Sequence, residues 1–303
     1  MSKNLFSKKQ KMLTLKSFKN IPTCFTFLSD GRLACSSMDS TIKIFNLKTF
    51  EIDLNLTENK RCVSYITKIK SDHLISCSFA IIRIYKINKN SYEIIQELKE
   101  HKSFVFKIIE IKKGNLISCS KDNSIRVYKK NENNNINNNN LYTNIKTITL
   151  FKRIYNILEI NPNIVVNTIY GESLMFWDFT RNRKFLAKIN NLILCGWNKT
   201  LCKINEELLF AGGANCVYII DIKNYKKIGL INGIQGALAI YKMNNNNILI
   251  GNYNGNIYEM KYENNKFELI GRVQAFKEGI YDIIERNNTI FISATDKLFS
   301  VWN

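Results

Sequence analysis

Only two histidines, His73 and His101, occur among the 303 residues. A Ser-His-Asp arrangement, in which an imidazole takes the proton of a serine hydroxyl while a carboxylate orients the ring, would have to use one of them. His101, with Ser118 and Asp122 downstream, supplies the three side-chain types. Metal chemistry has thinner material, since no His-x-His or His-Glu-x-x-His spacing occurs. The eight cysteines, Cys24, Cys35, Cys62, Cys77, Cys119, Cys195, Cys202 and Cys216, include no Cys-x-x-Cys pair. They read as small buried apolar side chains in a reducing compartment. Gly212-Gly213 falls inside a hairpin, where it permits close packing. With no Gly-rich phosphate loop and no ligand cluster, neither a cofactor nor a metal is expected.

A repeated hairpin must position these residues. Leu116 to Tyr128, LISCSKDNSIRVY, reads as an apolar run, a polar turn at Lys121-Asp122-Asn123 and a second, alternating strand. The same pattern returns at Leu33 to Phe45, Leu74 to Tyr85, Val165 to Trp177, Leu209 to Ile220, Ile248 to Met260 and Ile290 to Trp302. Taking Ile42, Ile82, Ile125, Leu174, Val217, Ile257 and Phe299 as markers, the intervals are 40, 43, 49, 43, 40 and 42 residues. A period of about 40 to 45 residues with several short strands marks a four-stranded propeller blade. One such sheet cannot bury both of its faces alone, so blades stack until a ring closes.

An apolar inner strand precedes every hairpin, as in VFKIIEI at Val105 to Ile111 and IYDIIE at Ile280 to Glu285. An outer strand follows, as in YEIIQEL at Tyr92 to Leu98 and KFELIGRV at Lys266 to Val273. The last copy stops at Trp302-Asn303 without one, and KMLTLK at Lys11 to Lys16 has no other blade to join. The chain is therefore expected to be an all-β, seven-bladed propeller of four-stranded antiparallel blades, a single domain over 1–303, closed by its N-terminal strand. Six or eight blades are the competing counts.

With these hairpins in hand, the sequence resembles the WD-repeat (WD40) β-propellers over nearly its whole length, with degenerate repeats. That family reads roughly S-G-S-x-D-x-T-I-K-x-W-D across its second and third strands, with Gly-His ahead of the inner strand. The third copy matches best: the resemblance places His101, Ser118, Asp122 and Tyr128 in a structural hydrogen-bonded tetrad, Tyr128 standing in for Trp. Asp39 and Asp296 match the turn Asp, and Trp177 and Trp302 the Trp. The second copy has Phe79-Ala80 at its turn and is one residue short. Repeat position thus accounts for the Ser-His-Asp types without catalysis, and no catalytic residue is expected. What the resemblance implies is a non-catalytic scaffold mediating protein-protein interactions within a larger complex, itself a monomeric propeller.

The net charge is +19, with 35 Lys to 9 Arg, frequent Asn and two Pro, a bias that matches AT-rich coding. A basic chain attracts acidic proteins or peptides and nucleic acid alike. Residues leading into the inner strands, Arg61, Lys102, Lys152, Arg153, Lys199 and Lys277, would form a partner-binding rim. The alternative is an RNA- or ribosome-associated basic propeller, although Phe104, Phe106, Tyr155 and Tyr281, which flank basic residues, read as core on inner strands. Phe179 to Arg183, FTRNR, does not reproduce the Phe-Arg-Arg-Gly of phosphoinositide-binding propellers. Asn131 to Asn140 reads as a disordered loop insert. With no apolar run long enough to span a bilayer and no leader-like start, no membrane insertion is expected. A cytoplasmic location is expected, with the nucleus as the alternative.

Overall fold

The computed structural model describes residues 11–131, 141–180, 184–196, 199–263 and 266–302. Of the Asn-rich insert, residues 132–140 lie outside them, as do Arg181, Asn182 and Arg183. The first strand, β1, is Lys11–Leu15. Seven groups follow in chain order. Sheet 1 is built from β2 Pro22–Phe27, β3 Leu33–Ser37, β4 Ile42–Phe45 and β5 Ile52–Leu56. Sheet 2 has β6 Val63–Lys68, β7 Leu74–Ser78, β8 Ile81–Ile87 and β9 Tyr92–Leu98. Sheet 3 has β10 Val105–Glu110, β11 Leu116–Ser120, β12 Ser124–Lys130 and β13 Tyr142–Thr149. Sheet 4 has β14 Ile154–Asn161, β15 Ile164–Ile169, β16 Ser173–Asp178 and β17 Lys184–Ile189.

Sheet 5 consists of β18 Leu201–Lys203, β19 Leu208–Gly212, β20 Cys216–Asp221 and β21 Lys226–Asn232. Sheet 6 consists of β22 Ala237–Lys242, β23 Ile248–Asn252, β24 Asn256–Glu263 and β25 Lys266–Gln274. Sheet 7 contains β26 Ile280–Arg286, β27 Thr289–Ala294 and β28 Phe299–Trp302, and its fourth, outer strand is β1. Lys11 pairs with Trp302 and Leu15 with Phe299, antiparallel. The chain is thus an all-β, seven-bladed propeller whose last blade is closed by the N-terminal strand, as the repeat count and the orphan KMLTLK segment anticipate. The pairing occupies the edge of β28 that would otherwise be open to association.

Local sequence explains the tight turns. Six of the turns between second and third strands hold one residue in the left-handed region: Ser40, Phe79, Asn123, Gly171, Gly255 and Lys297, with φ of 73°, 51°, 65°, 65°, 75° and 65°. Asn and Gly tolerate that conformation, whereas Phe79 is strained there. In the second copy the shortened turn is the pair Phe79-Ala80 between β7 and β8. Sheet 5 turns differently. A Cβ on Gly212 would come within 2.3 Å of the Ala237 carbonyl oxygen and one on Gly213 within 2.7 Å of the Tyr218 ring, so only glycine fits at both.

The chain divides into two compact units, one of Thr23–Tyr170 with Met175–Leu186, the other of the segment through Pro22, Gly171–Leu174 and the chain from Ala187 onward. In the Thr23 unit the core lies between successive sheets, as where Cys24, Ile44, Ile66 and Ile84 or Ile117, Ile125, Ile157 and Val165 are buried together. The other unit repeats the plan, with Phe210, Val217, Ala237 and Ile250 in one layer and Leu249, Ile257, Ile280 and Trp302 in the next. Middle strands buried on both faces, such as β11 and β23, read as continuous apolar or small residues for that reason.

Polar ties fix how neighbouring inner strands register. The Thr23 hydroxyl donates to the Val63 carbonyl at 2.6 Å, and one sheet further the Ser64 hydroxyl donates to the Val105 carbonyl at 2.6 Å. At the other end of the strands a glutamate reaches back to the preceding sheet. Glu110 accepts from the Lys70 N–H at 2.7 Å, Glu159 from Lys112 at 3.0 Å and Glu285 from Asn244 at 2.8 Å. Each glutamate stands late in its inner strand, so one substitution pattern repeated along the chain supplies the same inter-sheet clamp three times.

Candidate functional site

Sheet 3 brings the tetrad residues together. His101 lies ahead of β10, Ser118 at the centre of β11, Asp122 in the β11–β12 turn and Tyr128 on β12. The His101 Nδ1 is 2.8 Å from Asp122 Oδ2, and its Nε2 is 2.6 Å from Ser118 Oγ. Asp122 also accepts the Lys102 N–H at 2.9 Å and, through Oδ1, the Ser124 hydroxyl at 2.6 Å. The Tyr128 hydroxyl is buried beside Ser118 without a hydrogen bond of normal geometry. Burial lowers the His101 pKa even though the Asp122 carboxylate opposes that shift. The hydrogen bonds from His101 and Ser124 outweigh burial at Asp122 and hold its carboxyl well below the usual range. The pair is therefore a neutral imidazole donating through Nδ1 to a carboxylate, with Ser118 donating to Nε2.

This is the hydrogen-bond order of an acyl-transfer triad, but its placement differs. Ser118 has no exposed surface and Tyr128 is sealed with it, so no substrate carbonyl reaches the hydroxyl. The thiols are no better placed as nucleophiles. Burial pushes Cys195 up to about 11 and Cys119 up to about 12, and it raises the Cys77 thiol well above its ordinary value. All eight cysteines are free thiols. Among the described residues no three His, Cys, Asp or Glu side chains converge as metal ligands, and no helix is long and apolar enough to cross a membrane.

Other sheets fill the same wall with different polar pairs. In sheet 1 Thr41 takes the place of Ser124, its hydroxyl 2.6 Å from Asp39 Oδ1. In sheet 4 the Trp177 Nε1–H donates to Asn167 at 2.7 Å. In sheet 2 Asn59 lies 3.3 Å from the Tyr85 hydroxyl and accepts from Arg83 at 2.8 Å. Ser124, Asn167 and Asn59 were not singled out from the sequence. The first occupies the threonine position of D-x-T, and the asparagines stand at tetrad positions themselves: Asn167 lies ten residues before Trp177 as Ser118 does before Tyr128, and Asn59 lies four before Val63 as His101 does before Val105.

The six rim cations do not share one environment. Arg61, Lys102, Lys152 and Arg153 are exposed at the end of sheets 2 to 4 where inner strands begin. Lys277 is exposed ahead of β26. Lys199 is turned inward: its Nζ lies 3.2 Å from Asp282 Oδ1, a carboxylate only 1 % exposed, and its backbone bridges Ala239. A second inward cation, Lys107 on β10, donates to Asn156 at 2.9 Å and sits 5.7 Å from the centroid of the Tyr65 ring. The aromatics beside the basic residues also differ from the core placement read from the sequence. Tyr281 is buried, but Phe104, Phe106 and Tyr155 each keep exposed surface, although Phe106, Tyr155 and Tyr281 all stand second in their inner strands.

The WD domain, G-beta repeat model matches residues 9–46 and 92–129. Each match begins at an outer strand, β1 or β9, and runs through the three inner strands of the next sheet, so the sequence repeat is offset from the blade by one strand. No curated protein matches the chain. Two matched repeats, one carrying the His101, Ser118, Asp122 and Tyr128 constellation, together with seven four-stranded blades, support a WD-repeat β-propeller family for the chain.

Proposed function

We propose that the chain is a non-catalytic scaffold that holds partners together within a larger, cytoplasmic complex. WD-repeat propellers generally bind proteins and are generally non-catalytic. The observation that supports this reading is the burial of Ser118: the Ser118, His101 and Asp122 set stands between strands, engaged in holding the β11–β12 turn. The exposed rim cations Arg61, Lys102, Lys152, Arg153 and Lys277 are the side chains proposed to meet acidic partner surfaces. Lys199 contributes through its ion pair with Asp282 and not through partner contact.

Affinity capture from native lysate, with and without nuclease, tests the reading when wild type is compared with Arg61→Glu, Arg153→Glu and Lys277→Glu combined. Nuclease-resistant partners lost in the variant are expected. Identical partners in both would reduce these cations to solvated surface.

A further inference from the structure

Sheets 2 to 4 carry a row of incompletely buried rings at one end. The loop entering each inner strand and the turn between the second and third strands share that end, because successive strands run antiparallel. There Phe79 and Phe104 meet edge to face with centroids 4.9 Å apart. Phe106, two residues beyond Phe104, lies 4.3 Å from Tyr155, which lies 5.2 Å from Tyr170. Tyr170 is 54 % exposed, and Phe151, two residues before Arg153, is fully exposed.

Cations are interleaved with these rings. The Arg61 guanidinium carbon is 6.0 Å from the Phe79 centroid and Lys121 Nζ is 5.9 Å from that of Phe104. Lys102, Lys152 and Arg153 stand exposed at the same end. Two of the nearby carboxylates are already engaged, Glu58 with the Tyr92 hydroxyl and Asp122 with His101, Lys102 and Ser124. With Glu100, exposed beside His101, they make three carboxylates against the five cations Arg61, Lys102, Lys121, Lys152 and Arg153, so positive charge dominates a surface that also offers aromatic faces.

An acidic protein partner engages the cations of this face and leaves the rings to a further ligand. A nucleic-acid duplex has the phosphates but hides its base faces within the stack. A single strand uses both, its phosphates on the cations and its unstacked bases on the rings. We infer that this end of sheets 2 to 4 binds single-stranded nucleic acid with little sequence preference. The backbone tracks Arg61, Lys102, Lys121, Lys152 and Arg153, while bases stack on Phe79, Phe104, Tyr170 and Phe151. The inference rests on the reading of this end as a docking face and names its ligand.

The test is fluorescence anisotropy of the purified full-length chain with labelled oligo(U) and oligo(dT) of about ten nucleotides, a length within the usual footprint of such platforms. Both single strands, or oligo(U) alone, should bind more tightly than a duplex of equal length; preference for oligo(U) assigns the ligand as RNA. Phe151→Ala with Tyr170→Ala should weaken binding by about 30-fold or more without shifting the melting curve, since both rings project from the surface. Lys152→Glu with Arg153→Glu should flatten the salt dependence by roughly one unit of log-log slope. Duplex binding equal to the single strand, or full affinity after loss of both rings, overturns the inference. Polyglutamate displacing the oligonucleotide while the ring variant binds normally also overturns it, in favour of an acidic-protein face that leaves the docking reading intact. If no polyanion binds and lysate capture is unchanged by charge reversal, the docking reading falls as well.

Discussion

Asp122 grips His101 at 2.8 Å through one carboxylate oxygen and Ser124 at 2.6 Å through the other, so a single side chain ties the segment entering β10 to the β11–β12 turn. Removing the imidazole leaves Asp122 and Ser118 in a buried wall without their main partner. His101→Ala should therefore cost about 2–4 kcal/mol, as unsatisfied buried polar groups do. Urea unfolding monitored by fluorescence would register it as a lower midpoint; an unchanged midpoint would mean that the tetrad carries no stability.

Acid should loosen the same wall. The His101 pKa is lowered in the folded chain, so the unfolded chain binds its proton more readily, and the associated stability is present above about pH 6.5 and lost as pH falls below it. Asp122 acts in the same direction at lower pH, its stabilisation being lost below about 3.8. His73 is also lowered, by burial, and adds to the first phase. Melting curves between pH 7.5 and pH 5 should show a falling midpoint, and His101→Gln should flatten, without abolishing, that slope.

Lys199 and Asp282 make a contrasting pair with the exposed rim. Asp282 is almost fully buried, so Lys199→Ala removes the cation beside a carboxylate that then keeps hydrogen bonds such as that from the Ile283 N–H, and should cost about 3 kcal/mol. Lys277→Ala should stay within about 0.5 kcal/mol, as exposed surface substitutions do. Equal effects of the two substitutions in denaturant titrations would contradict this division.

Glu285 tests the clamp between inner strands. Glu285→Ala releases the Asn244 N–H from a carboxylate that is only 8 % exposed and should cost about 1–2 kcal/mol. Hydrogen exchange should locate the loss at Asn244, with the remaining strands of sheet 6 unaffected.

Deleting Met1 to Lys16 removes β1 and opens the β28 edge. The truncated chain should melt earlier and aggregate on gel filtration, because an unpaired strand edge templates association. Retention of the full-length melting curve would show that sheet 7 does not depend on β1.

How much of this was legible in the sequence follows from what each feature depends on. Hairpins such as Leu116 to Tyr128 depend on alternation and turn residues a few positions apart, so both strands and the turn at Asn123 could be read directly. The inner strands of sheets 1 and 2 begin at Pro22 and Val63 and take in the polar Thr23 and Ser64, whose hydroxyls are satisfied by the next sheet. Lys199 looked like its rim companions until Asp282, 83 positions away in sequence, was placed beside it. Phe104 and Phe106 looked like core because strand membership predicts burial, whereas Phe104 lies just ahead of β10 and both keep exposed surface. Residues whose environment is set by a neighbouring sheet leave no local trace.

The pairing of Lys11 with Trp302 also orders events during synthesis. β1 leaves the ribosome long before β28 and has to wait for it, so sheet 7 is a step of long sequence separation and correspondingly slow. Because the two ends meet in one sheet, joining them through a short linker and opening the chain within another turn should give a permuted protein with the same blades. Its final folding step would then be completion of whichever sheet holds the new ends.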